Sequence, residues 1–87
     1  MSVDRGLAET VRAFVLSQFV VADPALLTDD TSLIDSGVVD STGMLDVITW
    51  LEEEFHLKVL DQEMVPSNLD SVASLAAYIT RKRAAQG

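Results

Sequence analysis

A hydroxyl at the head of a helix is the feature of this chain best suited to chemistry. Ser41 closes the run Val38-Val39-Asp40-Ser41 and directly precedes the amphipathic stretch from Met44 to Phe55. At such a position four backbone N–H groups lack helical partners and the helix dipole is positive. A phosphate ester on the Ser41 oxygen would lie where a helix end favours negative charge. Ser and Asp are also the common N-caps, so by chemistry alone Ser41 or Asp40 reads first as a cap. The rest of the chain offers little else. It holds no nucleophile–base–orienter set, no phosphate-binding glycine loop and no metal-ligand spacing. Glu52, Glu53 and Glu54 occupy consecutive helical positions and point in different directions, so they form no paired-carboxylate site. The single histidine, His56, falls near a helix C-terminus, where positive charge is favoured. There is no cysteine, so any thiol chemistry must use a thiol supplied by a cofactor. An enzyme is not expected.

Three periodic segments must position Ser41. Leu7, Ala8, Val11, Phe14, Val15 and Phe19 trace one apolar stripe and predict a helix over about residues 4–20, with Asp4 as a candidate cap. Met44, Val47, Ile48, Leu51 and Phe55 predict a second helix over 41–55. Val72, Leu75, Ala76 and Ile79 predict a third over 71–83, capped by Asp70 or Ser71, with Arg81, Lys82 and Arg83 at its negative end. The connection between the first two is about twenty residues long, a length associated with functional loops. Asp23-Pro24 reads there as a turn or helical start, and Gly37 as a positive-φ position. Leu26, Leu27, Leu33, Ile34, Val38 and Val39 are apolar enough to pin this loop. Leu57-Lys58-Val59-Leu60 has no partner strand, and Pro66-Ser67-Asn68-Leu69 reads as one helical turn. The expected fold is all-α: a small bundle of three longer helices plus one short helix, in a single domain over residues 1–87, with a long loop between the first and second helices. Met44 and Met64 are expected as core fillers.

The 87 residues carry a net charge of −8 and are 48% hydrophobic. The charge is segregated: no Lys or Arg occurs from Ala13 to Leu57, a stretch holding nine acids. Such a field repels nucleic acid and anionic membranes and steers basic proteins toward it. At about 100° per residue, Leu45, Thr49 and Glu52 project to one side of the second helix's core stripe, with Asp46 and Glu53 further round and Ser41 at the head. This combination of an apolar contact with acids suits a basic partner surface. Trp50 falls nearly opposite the core stripe, either as an interface residue or folded over a neighbouring loop. Gly43 either allows a close approach by a partner or is simply tolerated in the first turn. No apolar run approaches membrane-spanning length and Met1 to Arg5 show no signal-peptide pattern, so a cytoplasmic, monomeric protein is expected.

The stretch from Asp30 to Ser41, with a following helix that ends Leu51-Glu52-Glu53-Glu54-Phe55, resembles the acyl carrier protein family. The likeness extends over nearly the whole chain in length, acidity and helix spacing. It implies that the Asp40-Ser41 pair opens the second helix and that Ser41 carries 4′-phosphopantetheine, taken from coenzyme A by a phosphopantetheinyl transferase. It also implies that partners read the second helix, with contacts at Asp35, Thr42, Leu45, Asp46, Thr49, Glu52 and Glu53. Those partners would include acyl- or aminoacyl-loading ligases, synthases or transferases with a basic docking surface. Thr42 departs from the Leu usual in the family, and Gly43 is unusual inside a helix. The long lead-in to Ser41 looks closer to carriers of polyketide, peptide and D-alanine pathways than to fatty-acid carriers. The rival reading is an acidic helical interaction module without a prosthetic group, in which Ser41 is only a cap.

Overall fold

A computed structural model describes residues 5–86, with side chains described for 6–85. Its helices are α1 (Arg5–Gln18), α2 (Ser41–Phe55), α3 (Pro66–Leu69) and α4 (Val72–Gln86). No strand occurs among the described residues. The all-helical architecture of three longer helices and one short one matches the periodicity of the sequence. Asp4, expected to cap α1, lies outside the described residues.

The three apolar stripes meet in one core. Leu7, Val11 and Val15 of α1, Val47, Ile48 and Leu51 of α2, and Val72, Leu75, Ala76 and Ile79 of α4 are all buried. Phe14 and Phe55 are half-buried and pack against that core from its edge. Helix α4 is the hub, packing on α1, α2 and α3. Tyr78, on α4, is buried to 1% exposure and is among the largest side chains enclosed.

α1 stops two residues short of the expected end. Beyond it Val20 and Val21 are β-branched, and Pro24 disfavours helical geometry at Asp23. Asp23 caps a 3-10 turn, Pro24–Leu26, by accepting the Ala25 N–H. The Arg12 guanidinium reaches across from α1 and donates to the carbonyls of Pro24 and Leu27. The loop then turns over residues 33–37, with Gly37 at φ 80°, and the Val39 N–H closes back on the Leu33 carbonyl at 3.0 Å. Leu27, Leu33 and Val39 are buried as expected, but Leu26 is 74% exposed and Ile34 43%. A loop that crosses the bundle once has an inner and an outer side, and these two fall on the outer one.

The far side of the loop is tied to the junction between α3 and α4. The Leu33 N–H donates to the Asp70 carbonyl at 2.7 Å. The Asp70 carboxylate accepts the Ser32 hydroxyl at 2.5 Å and the Ile34 N–H at 2.9 Å. The Ala73 N–H donates to the Asp29 carbonyl at 2.8 Å. Ser71 caps α4 instead of Asp70, its hydroxyl oxygen accepting the Ser74 N–H at 3.0 Å.

Four further expectations need correcting. Trp50 is not opposite the core. It stacks on Phe14 of α1 at 4.1 Å and 9°, and meets Phe55 edge-on at 5.3 Å. Met64 is 41% exposed, because the residues from Asp61 to Glu63 form a second 3-10 turn that carries it to the surface. α4 continues to Gln86, so of the three basic residues only Arg83 falls in its last turn. Lys82 instead pairs with Glu63 at 3.0 Å, and Arg81 donates to the Asn68 side chain. Finally, the Glu52 carboxylate turns away from the exposed face and accepts the Val59 N–H at 2.9 Å, securing the extended residues after α2.

Candidate functional site

Ser41 is the first residue of α2, and the cap is Asp40. The Asp40 backbone is extended, at φ −96° and ψ −176°, and its Oδ1 accepts the Gly43 N–H at 2.6 Å. The capping role that sequence alone left between Asp40 and Ser41 therefore falls to Asp40. Ser41 is exposed, and no hydrogen bond to another described residue engages its hydroxyl. That oxygen stands at the positive end of a fifteen-residue helix with open approach from solvent.

Gly43 explains how this end of α2 is fixed. It is buried, and a Cβ placed there would stand 2.9 Å from Cε1 of Phe19, 3.2 Å from Asp40 Oδ1 and 3.3 Å from Val39 Cγ1. The close neighbour that glycine admits is thus the Phe19 ring at the end of α1. Phe19 in turn meets Phe14 edge-on at 6.2 Å, which links the Ser41 turn to the Phe14–Trp50 stack.

The other candidates divide into two groups. Thr42, Leu45, Asp46, Thr49 and Glu53 are all exposed along α2, Leu45 to 62%. The Thr49 hydroxyl folds back on the Leu45 carbonyl at 2.9 Å. Asp35 is exposed on the loop and lines a cleft of about 360 Å³ with Ile34, Met44, Met64, Val65 and Leu69. Only Glu52 is set apart, by its bond to Val59.

α3 forms one wall of that cleft, and the Glu63 side chain ties the turn that precedes α3 to α4. Glu63 accepts the Leu60 N–H at 3.0 Å, the Tyr78 hydroxyl at 3.0 Å and the Lys82 ammonium at 3.0 Å. The Leu60 N–H, then the Lys82 ammonium, hold its carboxyl below the usual glutamate range. Burial, reinforced by the nearby Glu63 carboxylate, pushes the Tyr78 phenol well above the usual tyrosine value. Sequence reasoning missed both Glu63 and the loop-pinning role of Asp70. Asp70 was legible only as a helix cap, since its partners lie 36 and 38 residues away.

Comparison with known proteins decides the family. Residues 9–79 match the family described as "Phosphopantetheine attachment site". The chain belongs to the acyl carrier protein family. It is 29% identical over 70 residues to a probable acyl carrier protein, PigG, of a Serratia species, covering 80% of each chain. It is 31% identical over 78 residues to an acyl carrier protein of Akkermansia muciniphila, covering 90% of this chain and 94% of that one. An acyl carrier protein of Thermotoga maritima is 28% identical over 68 residues, covering 78% and 82%. Members of this family carry acyl groups on phosphopantetheine, which is thus the cofactor of this chain, and they work with transferases and synthases. The exposed, unengaged hydroxyl at the head of α2 fits that group. Among the described residues no helix is long and apolar enough to cross a membrane.

Proposed function

We propose that Ser41 is the attachment residue and that the chain carries acyl or aminoacyl groups for partner enzymes in a polyketide, nonribosomal peptide or related specialised pathway. The observation that carries this reading is the exposed Ser41 hydroxyl at the first residue of α2, with Asp40 already serving as cap. In the modification the Ser41 oxygen forms a phosphodiester to phosphopantetheine, its proton is lost, and 3′,5′-ADP leaves coenzyme A. When attached, the arm supplies a thiol on which cargo is held as a thioester. The chain's own residues supply the rest. Asp40 fixes the turn from which the arm departs. Asp35, Thr42, Leu45, Asp46, Thr49 and Glu53 form the face that partners read, with a small apolar contact among acids. Glu52 contributes by holding the end of that face in shape. Tethering raises the effective concentration of cargo at each enzyme. The lead-in from Leu33 to Ser41 supports the specialised pathway over fatty-acid synthesis, and the acidic composition is consistent with a cytoplasmic carrier.

Incubation of the purified protein with coenzyme A and a broad-specificity phosphopantetheinyl transferase tests the assignment by intact mass. The expected product gains one phosphopantetheine, and Ser41→Ala gains none while keeping its helical circular dichroism. Modification of the Ala variant, or no modification of the wild type, sinks the assignment.

A further inference from the structure

The most exposed large apolar side chains among the described residues are not on α2. They are Val20, 93% exposed, and Leu26, 74% exposed, both on the turn that leaves α1. Leu26 lines a cleft of about 250 Å³ whose walls also include Val21, Asp23, Leu27, Ser36 and Val38, and Val20 adjoins it in sequence through Val21. Its shape is preformed. Arg12 holds the Pro24 and Leu27 carbonyls, and Asp23 caps the turn between them. The Val39 N–H bond to Leu33 fixes the opposite wall. A rigid apolar recess of this kind loses little conformational freedom when a side chain enters it.

The recess also lies at the Ser41 end of the molecule. Val38 in its wall is three positions before Ser41, and Phe19, the residue before Val20, packs against Gly43 in the first turn of α2. An enzyme that closes over the Ser41 hydroxyl from the α1 side meets Val20 and Leu26. The charge around the recess indicates what that enzyme presents. Asp23 stands in the wall and Asp29 and Asp30 follow on the same loop, so these three acids outweigh the Arg12 guanidinium, which is engaged by the Pro24 and Leu27 carbonyls. A second copy of this chain brings like charge against like, and an anionic membrane is repelled.

We infer that this recess is a docking site for the transferase that modifies Ser41, and that it seats an aliphatic or aromatic side chain projecting from a basic surface. The inference rests on the carrier reading and adds a contact distinct from the α2 face. Loss of that contact should change encounter-complex affinity and not the chemical step, because Ser41 is not among the residues that line the recess.

The test uses the full chain, coenzyme A and a broad-specificity phosphopantetheinyl transferase, with modification followed by intact mass at varied carrier concentration. Val20→Ser with Leu26→Ser removes the contact at two exposed positions, so the fold should persist, which a circular dichroism melt verifies. Leu26→Ser alone provides the milder version. Leu60→Ser is the control, a 41% exposed leucine on the connection after α2. The expected result is a KM raised about fivefold or more in the double variant, with kcat within roughly twofold of wild type and the control unchanged. Leu26→Met should restore the wild-type KM. Unchanged KM in both recess variants, or an equal rise in the Leu60 control, overturns the inference while leaving the carrier reading intact. Failure of the wild type to be modified at all overturns the carrier reading itself.

Discussion

Replacing Asp70 with Ala should release the long loop from the α3–α4 junction. The loss is two bonds onto one carboxylate, from the Ser32 hydroxyl at 2.5 Å and from the Ile34 N–H at 2.9 Å. Hydrogen bonds to a charged group contribute about 1.5–3 kcal/mol each, so the two together bound the effect at roughly 3–6 kcal/mol. Part of this returns on mutation. Ile34 is exposed, so water can take its N–H, and the Ser32 oxygen still accepts the Asp35 N–H at 3.0 Å. The bond from the Leu33 N–H to the Asp70 main-chain carbonyl is also untouched by the substitution. Allowing for hydration, the expected loss is about 2–3 kcal/mol. In a domain of this size that lowers Tm by roughly 8–24 °C. Urea unfolding measures the loss, and amide hydrogen exchange locates it, with Ile34 and its neighbours losing protection first. Asp70→Asn keeps an acceptor for the Ile34 N–H and should lose less than about 1 kcal/mol. A drop below about 0.5 kcal/mol for the Ala variant, within the range of an ordinary surface change, would refute the assignment of Asp70 as the anchor of the loop.

Gly43→Ala should destabilise by about 1 kcal/mol. The crowding at Phe19, Asp40 and Val39, typically about 1–3 kcal/mol when a core is overpacked, outweighs a helix-propensity gain of at most about 1 kcal/mol. Combining it with Phe19→Leu should cost less than the sum of the two single changes in thermal melts, and strict additivity would show that the ring is not the obstacle. Acid should loosen the turn before α3 from α4. Because the Glu63 carboxyl is depressed on folding, its contribution is present above the ordinary glutamate value of about 4.3 and is lost as pH falls through the folded value, so the stability of wild type and Glu63→Gln should converge below that range. At the alkaline end the raised Tyr78 value favours the folded state until pH passes about 10, after which stability should fall as pH rises, and ultraviolet absorbance of this sole tyrosine should show phenolate appearing only with unfolding.

The helices were readable because their signal is local. Val47, Ile48 and Leu51 recur at helical spacing, and a Pro opens the turn at Pro66, so the bounds of α2 and α3 follow from residues within them. The placement of Ser41 was readable for the same reason. Side chains whose partners are distant in sequence were not. Trp50 has Asp46, Glu53 and Glu54 within a turn of it on its own helix, and its packing shows only once Phe14 approaches from α1 and Phe55 closes edge-on. Glu52 looked like one more surface acid until the chain beyond α2 returned the Val59 N–H to it. Gly43 read as room for a partner or as a glycine merely tolerated, and neither reading foresaw the Phe19 ring, which sits beyond a connection of about twenty residues and leaves no space for a Cβ. Leu26 and Ile34 were misplaced because a loop has no fixed period to say which residues face inward.

The Phe14–Trp50 stack has an optical consequence. Trp50 is the only tryptophan in the chain, and its ring lies parallel to Phe14 across the α1–α2 seam. Indole emission therefore reports the separation of these two helices and the entry of water between them. It provides an intrinsic gauge of that seam, with no dye attached, and separates a partner that merely lands on α2 from one that pries α1 away.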